Sequence, residues 1–138
     1  MGLGIAITNS PVSKSMDDEN FNLHREIGIE EWEALFLGDL NLPEPTRHEG
    51  EDREEFHARW EKSFKQAVAE KGYKLLGRIW HYNRDVFYRP EEVRDLRNEC
   101  LVLKDHIRSD LGNSMLKNII FACDEALRVN SGIWLVSD

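Results

Sequence analysis

The sequence has few cysteines, and their spacing is not that of a redox or metal site. Cys100 and Cys123 are the two cysteines among 138 residues, and no CxxC pair occurs. Two cysteines are too few for the disulfide framework of a small secreted domain, so a reducing, cytoplasmic environment is expected. Both lie in apolar helical patterns, where cysteine is usually a buried and inert thiol.

Long apolar runs are also missing. No stretch approaches the roughly 20 apolar residues that a membrane-spanning helix needs. The opening segment MGLGIAITNS is apolar over only a few residues and has no basic flank. It therefore predicts neither a secretion signal nor a membrane span, and we expect no membrane partner.

The motifs that most directly indicate catalysis or cofactor binding do not occur. HExxH, GxSxG and the Walker pattern are all absent. Four side chains with ligand chemistry lie near the start of the longest predicted helix: His48, Asp52, Glu54 and His57. They can meet only through folding, and a solvated helix start is the expected arrangement. The sequence thus predicts no metal site, no cofactor and no assigned catalytic residue.

Two further groups of residues leave alternatives open. His81 can act as a general base if Asp85 orients its ring, which is the basis of an enzyme hypothesis. Arginines and aromatic residues between 82 and 89 (Tyr82, Arg84, Phe87, Tyr88 and Arg89) form a small patch that can stack bases or a peptide. The net charge of −8 opposes phosphate, so no nucleic-acid partner is predicted.

What is present indicates a globular chain of mixed secondary structure. Hydrophobic residues make up 41% and charged residues 32%, which suits a single globular domain over residues 1–138. We predict a mainly α (α+β) fold of about four helices, with a small sheet of two or three short strands. The strands are expected near 3–8, 73–82 and 133–136, with polar loops at 10–24 and 38–50.

The helices follow from apolar spacing. Two are predicted over 29–37 and 51–71, with Gly72 ending the second. A third begins at Pro90, and a fourth over 114–130 forms with it a C-terminal hairpin through a connection at Gly112 and Asn113. The predicted core contains Trp60, Phe64, Leu96, Cys100, Leu103, Ile119, Ile120, Cys123 and Leu127.

Negative charge is concentrated at the start of the chain. Residues 1–55 contain 4 basic and 14 acidic residues, a balance of −10, whereas residues 56–138 contain 14 and 12, a balance of +2. Loops and helix starts that carry charge of one sign are good sites for contact with an oppositely charged partner. The predicted partner-binding residues are Asp17, Asp18, Glu19, Glu49, Glu51, Asp52, Glu54 and Glu55.

Three segments of the chain, 88–93 (Tyr-Arg-Pro-Glu-Glu-Val), 124–127 (Asp-Glu-Ala-Leu) and 132–138 (Gly-Ile-Trp-Leu-Val-Ser-Asp), are similar to those of small bacterial helical domains. A small acidic chain of this kind resembles the immunity proteins of bacterial toxin–immunity systems. The resemblance implies a protein that binds a cognate toxin with a basic surface and inhibits it.

Three hypotheses of function follow. The first is a binding protein that inhibits a basic protein partner through its acidic residues. The second is a small enzyme with a His81 and Asp85 site. The third is a regulatory or scaffold module that acts as a homo-oligomer, which an exposed apolar face on the 114–130 helix would support.

Overall fold

The computed structural model describes residues 2–9 and 22–137, with side chains from Arg25 onward in the second range. Within these residues the fold is mixed α+β. The strands are β1 (Leu3–Thr8), β2 (Asn22–Ile27), β3 (Val86–Tyr88) and β4 (Gly132–Ser137). The helices are α1 (Ile29–Glu33), α2 (Arg53–Glu70), α3 (Pro90–Lys104) and α4 (Asp110–Val129).

The four described strands form one antiparallel sheet in the order β2-β1-β4-β3. β1 pairs with β4 along its whole length, with Ile5 opposite Leu135, and Phe87 of β3 lies opposite Trp134. Side chains that alternate along β1 and β4 enter the core, among them Leu3, Ile5, Ile133 and Leu135. Both strands were predicted, over 3–8 and 133–136, because each segment is short, apolar and β-capable.

Within the described residues the sheet has four strands rather than the predicted two or three, and one predicted strand is wrong. Residues 73–82 form turns around a 3₁₀ segment, Leu76–Arg78. The amide groups of Leu75 and Leu76 donate to the Glu99 carboxylate instead of to a neighbouring strand. β2 was missed because its described residues Arg25 and Glu26 are exposed, and polar residues gave it no apolar alternation. Residues 22–24 of the predicted loop belong to that strand.

The helices follow the predicted apolar stripes, with shifts at their ends. α1 continues into a π-helical segment, Ala34–Asp39, in which the amide of Leu40 donates to the carbonyl of Leu35. α2 ends before Gly72, whose φ of 98° suits glycine. α4 begins at Asp110 rather than 114, because the Ser109 hydroxyl accepts a hydrogen bond from the Gly112 amide and caps the helix.

The core lies between the sheet and the helices. α3 and α4 pack together as the predicted hairpin, and both contact the sheet. The predicted connection is wrong: residues 105–109 join the helices, whereas Gly112 and Asn113 lie within α4. Predicted core residues that are buried are Phe64, Leu96, Cys100, Leu103, Ile119 and Cys123. Trp60, Ile120 and Leu127 are only partly buried and pack at its edge.

α2 lies against a different part of the structure. Its Phe64 stacks on Trp32 of α1, with ring centroids 5.7 Å apart. The Trp32 indole nitrogen donates to the carbonyl of Ile79 at 2.7 Å, which ties α1 to the turns after α2. α2 therefore packs on α1 and on the turns that follow it in the chain.

Candidate functional site

The predicted acidic residues divide into those that the structure describes and those that it does not. Asp17, Asp18 and Glu19 lie outside the described residues. The others lie together on residues 44–55, the end of the loop and the first turn of α2, which we call the acidic junction. The acidic junction contains six acidic residues and two arginines, a balance of −4.

Arg59 fixes the loop of the acidic junction. Its guanidinium binds both carboxylate oxygens of Glu51 at 2.9 Å and donates to the carbonyl of Thr46 at 2.6 Å. The hydrogen bonds from Arg59 and from the His48 amide lower the pKa of Glu51 to about 2. Only 10% of the Glu51 side chain is exposed. Glu51 therefore holds the loop in place and offers little surface to a partner.

Asp52 is also used within the fold. It is the N-cap of α2, and its carboxylate accepts a hydrogen bond from the Glu55 amide at 2.8 Å. That bond lowers the pKa of Asp52, while the neighbouring Asp52 carboxylate raises the pKa of Glu55. Of the five predicted acids in the acidic junction, Glu49, Glu54 and Glu55 are the exposed ones whose carboxylates neither cap α2 nor bind Arg59.

An apolar cavity of about 240 Å³ opens beside the acidic junction, between the loop and α2. Its apolar lining comes from Leu42, Pro43 and Pro45 on the loop and from Trp60, Phe64 and Ala67 on α2. Sequence reasoning missed this cavity. The available signals were the two prolines, which stiffen the loop, and the spacing of the α2 stripe, which was interpreted as core alone.

His57 and His81 lie in an aromatic cluster that also includes Trp60 and Trp80. The rings of His57 and His81 have centroids 5.5 Å apart, and both pack near Trp80. Burial and the neighbouring His57 and Arg84 lower the pKa of His81 to about 4, so the ring is neutral at pH 7. Burial first and then Arg84 also lower the pKa of His57. Among the described residues no three His, Cys, Asp or Glu side chains are grouped to hold a metal ion.

His81 and Asp85 make hydrogen bonds to different partners. His81 Nδ1 accepts from the Asn83 amide at 3.0 Å, and Asp85 accepts from the amide and hydroxyl of Ser137 at 2.8 Å. An Asp that orients a general base must bond to its ring. These contacts do not supply that arrangement, although the enzyme hypothesis itself remains a prediction.

The remaining candidates are mostly structural. Tyr88 is buried, and its hydroxyl donates to the carbonyl of Leu75 at 2.6 Å, so it is not available to stack on a ligand. Cys100 and Cys123 are buried thiols, and burial raises the pKa of Cys123 to about 12. On α4, Phe121 and Val129 are exposed, and the Arg25 guanidinium lies 4.0 Å from the centre of the Phe121 ring.

Comparisons of the chain with protein-family models, with curated proteins and with solved structures found no match. None of the helices in the described part of the chain combines the length and apolar character needed to cross a membrane. The candidate functional site is the acidic junction together with the apolar cavity.

Proposed function

We propose that the protein is a cytoplasmic binding protein that inhibits a basic protein partner, as an immunity protein inhibits its cognate toxin. The observation that carries the proposal is the exposure of Glu49, Glu54 and Glu55 on a loop and helix turn that Arg59 holds in place. Asp17, Asp18 and Glu19 are proposed to contact the partner as well.

The charge of these residues supports the proposal through association kinetics. Carboxylates of one sign on a protein surface attract a basic partner over a distance set by the ionic strength, about 8 Å in physiological salt. Such steering mainly raises the association rate and helps to select the partner. Arg47 and Arg53 reduce the field of the acidic junction without cancelling it, since its balance is −4.

The fixed loop supports the proposal through the entropy of binding. When a loop becomes ordered only on binding, the entropy lost in ordering it reduces the favourable free energy of binding. Here the ion pair between Arg59 and Glu51 and the hydrogen bond to Thr46 order the loop in the free protein. The exposed carboxylates are thus already placed for contact.

The structure also makes the test sharper than the sequence alone allowed. Neutralising Glu51 or Asp52 would disturb the loop or the helix cap, so those residues stay unchanged. The test variant is E49Q/E54Q/E55Q. Its matched control, E70Q/D95N/D105N, changes the net charge equally at exposed acids on other parts of the surface.

The experiment is affinity capture from the native host with the three tagged proteins, followed by purification of the retained partner and an assay of its activity. We expect wild type and control to retain the same basic protein, to release it as salt is raised, and to inhibit its activity. E49Q/E54Q/E55Q should retain less of this partner than the wild type and the control do. Equal retention by the test variant and the control would exclude the acidic junction as the contact.

A further inference from the structure

We propose that the apolar cavity receives one apolar side chain of the partner, flanked in the partner by lysines or arginines. This inference rests on the proposed function, because it assigns to the same partner a second contact beside the acidic junction. It names the residue type that would anchor the complex.

The size of the cavity favours a side chain over a free ligand. Sites for drug-sized ligands usually measure about 300–1,000 Å³, and one water molecule takes up about 30 Å³. The cavity, at about 240 Å³, lies below the first range and is several times larger than the second. The cavity is therefore large enough to admit one leucine- or phenylalanine-sized side chain.

The lining favours an apolar group with cationic neighbours. Trp60, Phe64 and Ala67 form one wall and Leu42, Pro43 and Pro45 the other. The cation that lines the cavity, Arg59, is already bound to Glu51 and Thr46. Glu44 belongs to the lining as well, and the exposed acids of the acidic junction follow it in the chain, Glu49 on the same loop and Glu54 and Glu55 in the first turn of α2. An apolar side chain between basic residues complements both features.

The arrangement matches the usual anatomy of a binding hot spot. In such sites an apolar anchor fills a preformed pocket at the centre, and charged contacts surround it. Trp60 is only partly buried in the free protein, so part of its ring stays available to an anchor. Covering that ring adds the apolar burial that exposed carboxylates alone cannot supply.

Two peptides of equal charge distinguish the contribution of the apolar side chain from that of the lysines. They are acetyl-Lys-Lys-Leu-Lys-Lys-amide and the same peptide with alanine in place of leucine. Their dissociation constants are measured by NMR titration of the ¹⁵N-labelled protein. We expect the leucine peptide to bind about tenfold more tightly, the ratio that partial burial of the larger side chain allows. The chemical-shift changes that only the leucine peptide causes should occur at residues 42–46 and 60–67 of the protein, including the indole N–H of Trp60.

Two matched variants of α2 test the location. S63F places a ring in the cavity, and Q66F places the same ring at an exposed position on the same helix that does not line it. S63F should abolish the preference for leucine, and Q66F should keep it. Circular dichroism and the dispersion of the NMR spectrum confirm that both variants fold; if S63F does not, A67M replaces it.

The outcomes distinguish this inference from the proposed function. Equal binding of the two peptides to the wild type, or no binding of either, overturns the anchor. Equal binding that E49Q/E54Q/E55Q weakens would overturn the anchor and leave the charged contact intact. If the leucine peptide bound more tightly and E49Q/E54Q/E55Q did not change the binding of either peptide, the anchor would be supported and the charged contact excluded. A dimer in sedimentation equilibrium that S63F dissociates would assign the cavity to a second copy of this chain and overturn the proposal.

Discussion

Two carboxylates of α3 and the exposed carboxylates of the acidic junction differ in what they bind. Glu92 pairs with Arg78, and Glu99 accepts hydrogen bonds from the amides of Leu75 and Leu76. By contrast, Glu49 and Glu54 face solvent. Acids of the first kind hold the fold together, whereas those of the second kind can be removed with little effect on it. Charge that does not stabilise the fold is available for a partner.

The largest effect on the free energy of unfolding is expected when Glu99 is substituted. Glu99→Ala removes the acceptor of two partly buried amides, each of which costs about 1–3 kcal/mol when left unsatisfied. Because water can reach part of the site, we expect a loss of about 2–3 kcal/mol in the free energy of unfolding, measured by urea denaturation. Glu99→Gln, which keeps one acceptor oxygen, should lose less. An equal loss in both variants would show that the amides do not depend on that oxygen.

The second-largest effect on the free energy of unfolding is expected for Glu92→Gln, and it should depend on pH. The hydrogen bond from Arg78 lowers the pKa of Glu92 from 4.5 to about 2. A carboxylate whose pKa is lowered in the folded state stabilises the protein above its unfolded pKa and loses that effect as the pH falls. Glu92→Gln should therefore cost about 1–2 kcal/mol at pH 7, discounted because Arg78 stays about one-third exposed.

That cost should be constant down to about pH 5 and should disappear between about pH 4.5 and pH 2. Urea denaturation of wild type and Glu92→Gln across this range checks the prediction. If the difference between the two proteins stayed the same at pH 2, the ionised pair would not be its source.

A smaller effect is expected at the N-cap of α2. Asp52→Ala removes the acceptor for the Glu55 amide and should lower the free energy of unfolding by about 1 kcal/mol. Asp52→Asn, which keeps a capping oxygen, should lose much less. A thermal or urea unfolding series of the two variants decides between a capping role and a purely electrostatic one.

The smallest effect on stability is expected for E49Q/E54Q/E55Q. These side chains are exposed, so the free energy of unfolding should change by no more than about 0.5 kcal/mol. Urea denaturation beside E70Q/D95N/D105N provides the check. A loss above about 1 kcal/mol would place these acids with those that hold the fold.

Local patterns predicted the parts of the fold that depend on local spacing. The apolar stripe Val93, Leu96, Cys100 and Leu103 predicted α3, and short apolar segments predicted β1 and β4. The strand predicted over residues 73–82 was wrong because the amides of Leu75 and Leu76 donate to Glu99, more than 20 residues further along the chain. No local pattern contains that contact. β2 was missed for a related reason, since its pairing with β1 is a tertiary property of a polar segment.

The candidate site was predicted in part. The acidic residues were found from charge alone, but charge does not tell Glu51, which holds Arg59, from Glu54, which faces solvent. The apolar cavity was missed because Trp60 and Phe64 belong to one helical stripe in the sequence. Only the path of the loop over α2 shows that Phe64 is buried while Trp60 is partly open.

The most direct test is the association rate of the captured partner with E49Q/E54Q/E55Q and with E70Q/D95N/D105N, measured by stopped flow at low and high salt. If the acidic junction steers the partner, the first variant should associate about tenfold more slowly at low salt and show a weaker dependence on salt. The control should stay close to the wild type. Equal rates and equal salt dependence for the two variants would contradict a binding role for Glu49, Glu54 and Glu55.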